Sequence, residues 1–345
     1  MKDRREMVRM AAELLILGFV FLVLVPLTAV MLFGEKGQAE PDLSDLSDLS
    51  DLGFSNRIKT PDTIEVWQEE KNKMVKVDFE AYICRVVASE MPGTFEEEAL
   101  KAQSVAARTF AMAKIEKYKE NRPQSHPDAP ICNTTHCQVY KTEKALIACH
   151  EEGWEKEGWK KIQKACRATE GQMLYYDGEL VMQPLFFSSS GGQTENSEDV
   201  FVGAYPYLVS VSSPYEENAS HRDEETKISI ADFGEKLKAA YPEKNLGSIS
   251  RSSVKILSRT AGGRVEEMQV GDGADGVLKG TEVRMALGLS SALFAVDFNG
   301  ENIVFTSSGS GHGVGLSQYG ADGMAKKGYD YKEILTHYYS GTEVH

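Results

Sequence analysis

Leu14–Phe33 is a run of twenty uncharged residues dominated by apolar side chains. A helix rises 1.5 Å per residue, so about 20 residues cross the ~30 Å hydrocarbon layer of a bilayer. Lys2, Arg4, Arg5 and Arg9 form a basic flank before it. That asymmetry predicts residues 1–13 in the cytoplasm and everything after Phe33 outside, a single-pass topology. A cleaved secretory signal is the competing reading, with Gly37-Gln38-Ala39 as a passable cleavage site. Secretory apolar cores run roughly 7–15 residues, so the length favours an uncleaved anchor. Pro26 is tolerated inside a membrane helix.

Residues 34–56 change character. Leu-Ser-Asp recurs at 43–45, 46–48 and 49–51. A period of three suits neither strand nor helix, and the repeated charge is all negative, so the segment reads as a solvated, self-repelling linker. From residue 57 the pattern turns globular. Alternation at Ile64–Trp67 and Met74–Val77 predicts two strands. Asp78 can cap a helix through Ser89, with Tyr82, Val86 and Val87 on one face. Thr94 to Glu97 reads as a capping box opening a helix to about Tyr118. The apolar stripe of that helix (Ala99, Ala102, Val105, Ala106, Phe110, Ala113) is rich in small residues and calls for close helix packing. A third helix is expected over Trp159–Ala168, then a hairpin turning at Asp177-Gly178 between Met173–Tyr176 and Leu180–Met182. A helix over Ile230–Ala240 follows, with strands near 254–257, 267–270, 293–298 and 303–305. The expected fold class is α+β: residues 57–220 and 299–345 form the main domain, and 221–298 are inserted as a second lobe.

Charge narrows the function. The formal balance is 38 − 52 = −14, with +1 on residues 1–33, −5 on 34–56 and therefore −10 on the remainder. A body this acidic lacks the clustered Lys and Arg with which nucleic-acid binders neutralise phosphates.

Glu90 closes the first helix, and Pro92-Gly93 break the chain behind it. A carboxylate at a helix C-terminus faces the negative end of the macrodipole, which favours its protonated form. The positive end of the next helix pushes the other way, and the bland reading is a solvated helix end. The wider context favours chemistry. Glu90-Met91-Pro92 followed by Glu98–Thr109, then Ser188–Asp199, Gly311–Ala321, Gly328–Leu335 and Tyr338-Tyr339 resemble the motifs of the stage II sporulation protein D family, in the family's order over residues 80–345.

The resemblance implies a lytic transglycosylase acting on peptidoglycan, which cuts after N-acetylmuramic acid and leaves a 1,6-anhydro product. It assigns the general acid/base to Glu90. A lone carboxylate suffices because the attacking 6-hydroxyl belongs to the substrate, whereas hydrolytic glycosidases need a second carboxylate. Lys101, Gln103, Arg108, Ser188, Ser189, Ser190, Gln193, His312, Gln318 and Tyr319 fall in the matched motifs and are the candidate glycan-binding residues. Each has a plainer reading: a solvated helix face for Lys101 and Gln103, partial burial and pairing for Arg108, a turn for the serines, a structural role for His312.

His126, Cys132, His136 and Cys137 form a second constellation. Two histidines and two cysteines can close a tetrahedral zinc site. A Cys132–Cys137 disulfide is the alternative for a chain outside the membrane, although Cys84, Cys149 and Cys166 leave an odd total with no evident partners. Clostridial members of the family resemble this chain in carrying such a cluster. With four protein ligands the zinc would be structural. The resemblance further implies glycan strands free of stem peptides as substrate, septal wall remodelling during engulfment, and a membrane-bound amidase and a multi-spanning membrane protein as partners. A non-catalytic wall-binding module that stimulates an amidase is the second hypothesis. A zinc amidase is a third, disfavoured because catalytic zinc keeps an open position.

Overall fold

The computed structural model describes residues 58–345, so the anchor expected at 14–33 and the linker at 34–56 lie outside the described residues. Among the described residues no helix is long and apolar enough to cross a membrane. The described chain is mixed α+β. It opens with β1 (Thr63–Gln68), β2 (Lys73–Asp78), α1 (Phe79–Glu90), α2 (Glu97–Lys117), β3 (Ile131–Cys132), α3 (Glu143–Ala148) and α4 (Lys160–Ala168). Next come β4 (Leu174–Tyr176), β5 (Glu179–Leu180), β6 (Phe186–Phe187) and α5 (Ser197–Val200). The middle of the chain supplies β7 (Glu224–Ser229), α6 (Ile230–Ala240), β8 (Lys255–Arg259), β9 (Val265–Gln269), β10 (Val277–Lys279) and α7 (Gly280–Leu287). It ends with β11 (Phe294–Asn299), β12 (Asn302–Ser307), β13 (Leu316–Ser317), α8 (Gln318–Lys326), α9 (Tyr331–Tyr338) and β14 (Thr342–Val344).

Two apolar clusters organise these elements. In the first, α2 is the axis: every residue from Ala102 to Ala113 is buried, as befits a helix enclosed on all sides. Helices α1, α4, α8 and α9 pack on it, and the small side chains foreseen at Ala99, Ala102 and Ala106 allow that crowding. The Asp78 side chain caps α1 by accepting the Ala81 N–H at 2.8 Å, and the helix presents Phe79, Tyr82, Ile83, Val86 and Val87 inward. Strand β1 pairs antiparallel with β2 and parallel with β3, which brings Cys132 beside Trp67. The hairpin β4–β5 turns through Asp177 and Gly178, both left-handed at φ 51° and 79°, as the Asp-Gly pair predicts. The second cluster gathers Phe233, Leu237, Met268, Leu278, Val283, Phe294, Ile303 and Phe305 from the sheets β10-β9-β8 and β11-β12-β7 and from helices α6 and α7.

One local expectation fails. Thr94 does not cap α2; the helix begins at Glu97 with Glu96 as N-cap and no side-chain cap bond from that residue. Phe95 instead closes a turn onto the Pro92 carbonyl at 3.0 Å. The Glu96 N–H is taken by the Asp322 carboxylate of α8 at 2.8 Å. A carboxylate brought by the fold thus replaces the local hydroxyl at the positive helix end.

Candidate functional site

Glu90 is the last residue of α1 because Met91 turns to an extended conformation (φ −126°, ψ 140°) ahead of Pro92. Gly93 is required where it stands: a Cβ there would lie 2.4 Å from the Gly158 Cα, in the π-helical turn Glu155–Trp159. The Glu90 carboxyl is half-buried, and burial pushes its pKa up, partly offset by hydrogen bonds from the Gln318 side chain and the Val139 main chain. Gln318 Nε2 donates to Oε2 at a long 3.5 Å. A carboxyl whose dominant perturbation is desolvation holds its proton more readily. Tyr319, next in α8, sets its ring edge-on to Phe95 at 5.0 Å and donates its N–H to the Ser188 carbonyl at 3.0 Å. Glu90, Gln318, Tyr319 and the start of the serine loop are therefore neighbours.

The serine loop is held from behind by Glu216, which sequence reasoning missed. Its carboxylate accepts from the Ser190 and Gly191 N–H groups and from the Ser213 and Ser317 hydroxyls. A second fixing point is the buried pair Arg264–Glu195, at 3.1 Å. Arg264 also donates to the carbonyls of Gln193 and Ser190. Ser189 exchanges main-chain bonds with Ser310, and Gln193 donates its amide to Ser210 Oγ at 2.9 Å.

Other candidates are engaged within the fold. Arg108, expected to be partly buried, is fully buried; its guanidinium grips Glu80 in a fork at 2.7 and 2.6 Å and donates to the Gln172 carbonyl. It braces α2 against α1 and has no surface with which to touch a ligand. Gln103 is likewise buried completely, with neither amide atom hydrogen-bonded. Lys101 is tied to Glu98 at 2.6 Å and Glu97 at 3.5 Å on its own helix. His312 accepts the Val314 N–H at Nδ1 and lies against the rings of Phe187 and Phe201. Burial, and then the Arg264 charge, pull its pKa down to about 4, so it is neutral at physiological pH and shores up the glycine loop.

The four residues of the His/Cys constellation do converge: their ligand atoms all lie within 4.8 Å of one another. His136 Nδ1 is 3.6 Å from Cys132 Sγ and 3.4 Å from Cys137 Sγ, and His126 Nε2 is 3.4 Å from Cys137 Sγ. A tetrahedron with arms of ~2.0–2.3 Å has edges of roughly 3.3–3.8 Å, which these spacings match. His126 Nδ1 lies 2.9 Å from the Ala129 carbonyl, the partner that turns the other ring nitrogen toward a metal. Cys132 and Cys137 are both free, so the disulfide alternative is not formed. The group can hold a metal. Its loop is bolted to α1 and α2: Tyr82 Oη donates to Gln138, Arg85 to Tyr140 Oη, and Gln138 to the Ala107 carbonyl. Cys84 and Cys166, without evident partners in the sequence, are neighbours between α1 and α4, and Cys166 Sγ lies 3.3 Å from Ser104 Oγ.

With this geometry in place, likeness to known proteins adds identity. Residues 68–176 match the family described as Stage II sporulation protein, and residues 216–315 match one described as a domain of unknown function. Stage II sporulation protein D of Bacillus subtilis (strain 168) is 36% identical over 286 residues, covering 83% of this chain and 79% of the relative. The protein of the same name from Bacillus amyloliquefaciens is 34% identical over 334 residues, covering 94% and 92%. The Amidase enhancer of Bacillus subtilis (strain 168) is 27% identical over 306 residues, covering 74% of this chain but 39% of the relative.

Proposed function

Because the chain belongs to the stage II sporulation protein D family, we propose that it is a membrane-anchored lytic transglycosylase of peptidoglycan. The observation that carries this reading is Glu90: a half-buried carboxyl whose pKa is raised by burial, at the end of a rigid helix and beside two candidate glycan-binding residues. As an acid it gives its proton to the glycosidic oxygen as the muramyl C1–O bond breaks, releasing the next sugar's hydroxyl. As a carboxylate it then takes the proton of the muramyl 6-hydroxyl while that oxygen bonds to C1, closing the 1,6-anhydro ring. Among the described residues no second carboxylate is hydrogen-bonded to Glu90, and this intramolecular route requires none.

His126, Cys132, His136 and Cys137 would hold a zinc ion, which supplies a structural cross-link when bound. The chain's own residues do the rest: Gln138 ties the loop to α1 and α2, and the Val139 main chain reaches Glu90. We place the folded unit outside the membrane, anchored by 14–33, working on septal wall beside a membrane-bound amidase and a multi-spanning membrane protein.

The test incubates the detergent-solubilised chain and its Glu90→Gln variant with denuded glycan strands. Anhydromuramyl ends by mass spectrometry from the first and none from the second are expected. Reducing ends would instead mean hydrolysis. A relative named Amidase enhancer favours one alternative, a binding module that stimulates an amidase. No cleavage by either chain, with glycan binding intact in both, would select it.

A further inference from the structure

Cys84 and Cys166 take no part in the chemistry above, and both are free thiols. They stand on different helices, 166 − 84 = 82 positions apart in the chain. Hydrogen bonds between three helices bring them together. Residues four apart on a helix lie one turn above each other. Glu80 and Cys84 are such a pair on α1, and Ser104 and Arg108 are one on α2. The Arg108 guanidinium closes its fork on Glu80 at 2.7 and 2.6 Å, and one turn along, Cys84 comes level with Ser104. Helix α4 meets both at this height: Cys166 Sγ is 3.3 Å from Ser104 Oγ, and Arg108 Nη2 donates to the Cys166 carbonyl at 3.4 Å. The two sulfurs are accordingly neighbours.

A buried thiol is ordinarily a small apolar filler, and Cys166, 1% exposed within the first apolar cluster, fits that role by itself. Cys84 does not, because it is only half-buried. The pair therefore has one sulfur that solvent can reach and a second directly behind it. That is the arrangement an internal disulfide requires: the outer sulfur meets the oxidant and the inner one displaces it. A disulfide also needs Cα atoms about 4.4–6.8 Å apart, an approach that side chains as small as Cys and Ser permit between packed helices.

We propose that Cys84 and Cys166 are a site of disulfide formation, cross-linking α1 to α4 when the chain meets a low-molecular-weight disulfide. As a thiolate, Cys84 attacks one sulfur of that oxidant, breaking its S–S bond and expelling one thiolate, which takes up the proton Cys84 gave away. Cys166, as a thiolate, then attacks the Cys84 sulfur, forms the internal bond and expels the second thiolate, which takes up the Cys166 proton. Two protein thiols lose two electrons, and one small disulfide is reduced to two thiols. The bond closes a long loop and so restricts the unfolded chain strongly. It also fastens the helix that ends at Glu90. None of these steps involves glycan, so the site and the transglycosylase reading stand or fall separately.

The test treats the zinc-loaded full chain in detergent with oxidised glutathione, well below its melting temperature. Digestion without reductant and mass spectrometry then map the cysteines, with exposed Cys149 as the positive control for reaction. Peptides joined through Cys84 and Cys166 are expected. The melting temperature should rise by about 5–15 °C and return with dithiothreitol, and amide exchange over residues 79–90 should slow in the oxidised chain. Cys166→Ala should stop the reaction at one glutathione held on Cys84, and Cys84→Ala should leave Cys166 unmodified. Since the parent map needs no substitution, a variant that fails to fold does not spoil the test. A parent chain in which Cys149 is modified while Cys84 and Cys166 remain free thiols overturns the proposal. So does glutathione retained on Cys84 in the parent, or a Cys84–Cys166 link that forms only in urea.

Discussion

Replacing Glu195 with glutamine removes one charge from an ion pair in which Glu195 is 0% and Arg264 3% exposed. The shape is kept, but the guanidinium is then left with the carbonyls of Gln193 and Ser190, the glutamine amide and the more distant charge of Glu216. Stranding a buried charge in this way costs about 3–5 kcal/mol. For a folded unit of this size each kcal/mol is worth about 2–4 °C, so the melting temperature should fall by roughly 6–20 °C. Arg264→Met strands the partner instead; Glu195 already has one oxygen, Oε2, without a hydrogen bond, so the cost should be similar. The double variant leaves no unpaired charge and should recover most of the loss, since replacing a whole buried pair by uncharged groups is often neutral. The assay is a double-mutant cycle by thermal and urea unfolding, repeated at low and high salt; burial predicts little salt dependence. Single-variant losses under about 1 kcal/mol, or a double variant no better than the sum of the two, would refute the reasoning. The same chains should lose glycan affinity, because Arg264 holds the carbonyls that shape the serine loop.

Glu90 makes stability depend on pH in an unusual direction for a carboxyl. Its folded pKa is raised by burial, so the folded state binds the proton more tightly than the unfolded one. Stability from this group is fully present below the ordinary carboxylate value of about 4.3 and is lost as pH rises through the raised value. Glu90→Gln should therefore melt above the parent at pH 7 and level with it at pH 3.5, while parent turnover falls as pH climbs past the same value. Removal of metal with a strong chelator, or Cys137→Ser, should abolish a stoichiometry of about one zinc per chain by colorimetric titration and lower the melting temperature. Retention of zinc by Cys137→Ser would exclude that ligand set. Gly93→Ala drives a Cβ to 2.4 Å from Gly158 and should cost about 1–3 kcal/mol, with cleavage reduced further because Glu90 stands three residues away. An unchanged variant would mean that the turn yields freely.

How much of this was readable beforehand follows from the range of the interactions involved. Asp78 as a cap, the stripe of α2 and the Asp177-Gly178 hairpin depend on neighbours within a few residues, and they formed as the pattern predicts. Thr94 obeyed the same local rule and lost, because Asp322 reaches the same helix end from 226 residues away. The candidate site divides in the same way. Motif context located Glu90, Gln318 and Tyr319 together, but it also enlisted Arg108, which spends its charge on Glu80 inside the fold. Glu216 and Arg264 left no sign in the sequence, since each acts on a loop that lies far from it in the chain, Arg264 on Glu195 across 69 residues. Those two charges are the ones that hold the serine loop. The shape of the candidate glycan-binding loop is therefore set by charges that lie elsewhere in the chain, and substitutions at Glu216 or Arg264 should alter substrate preference before they alter chemistry at Glu90.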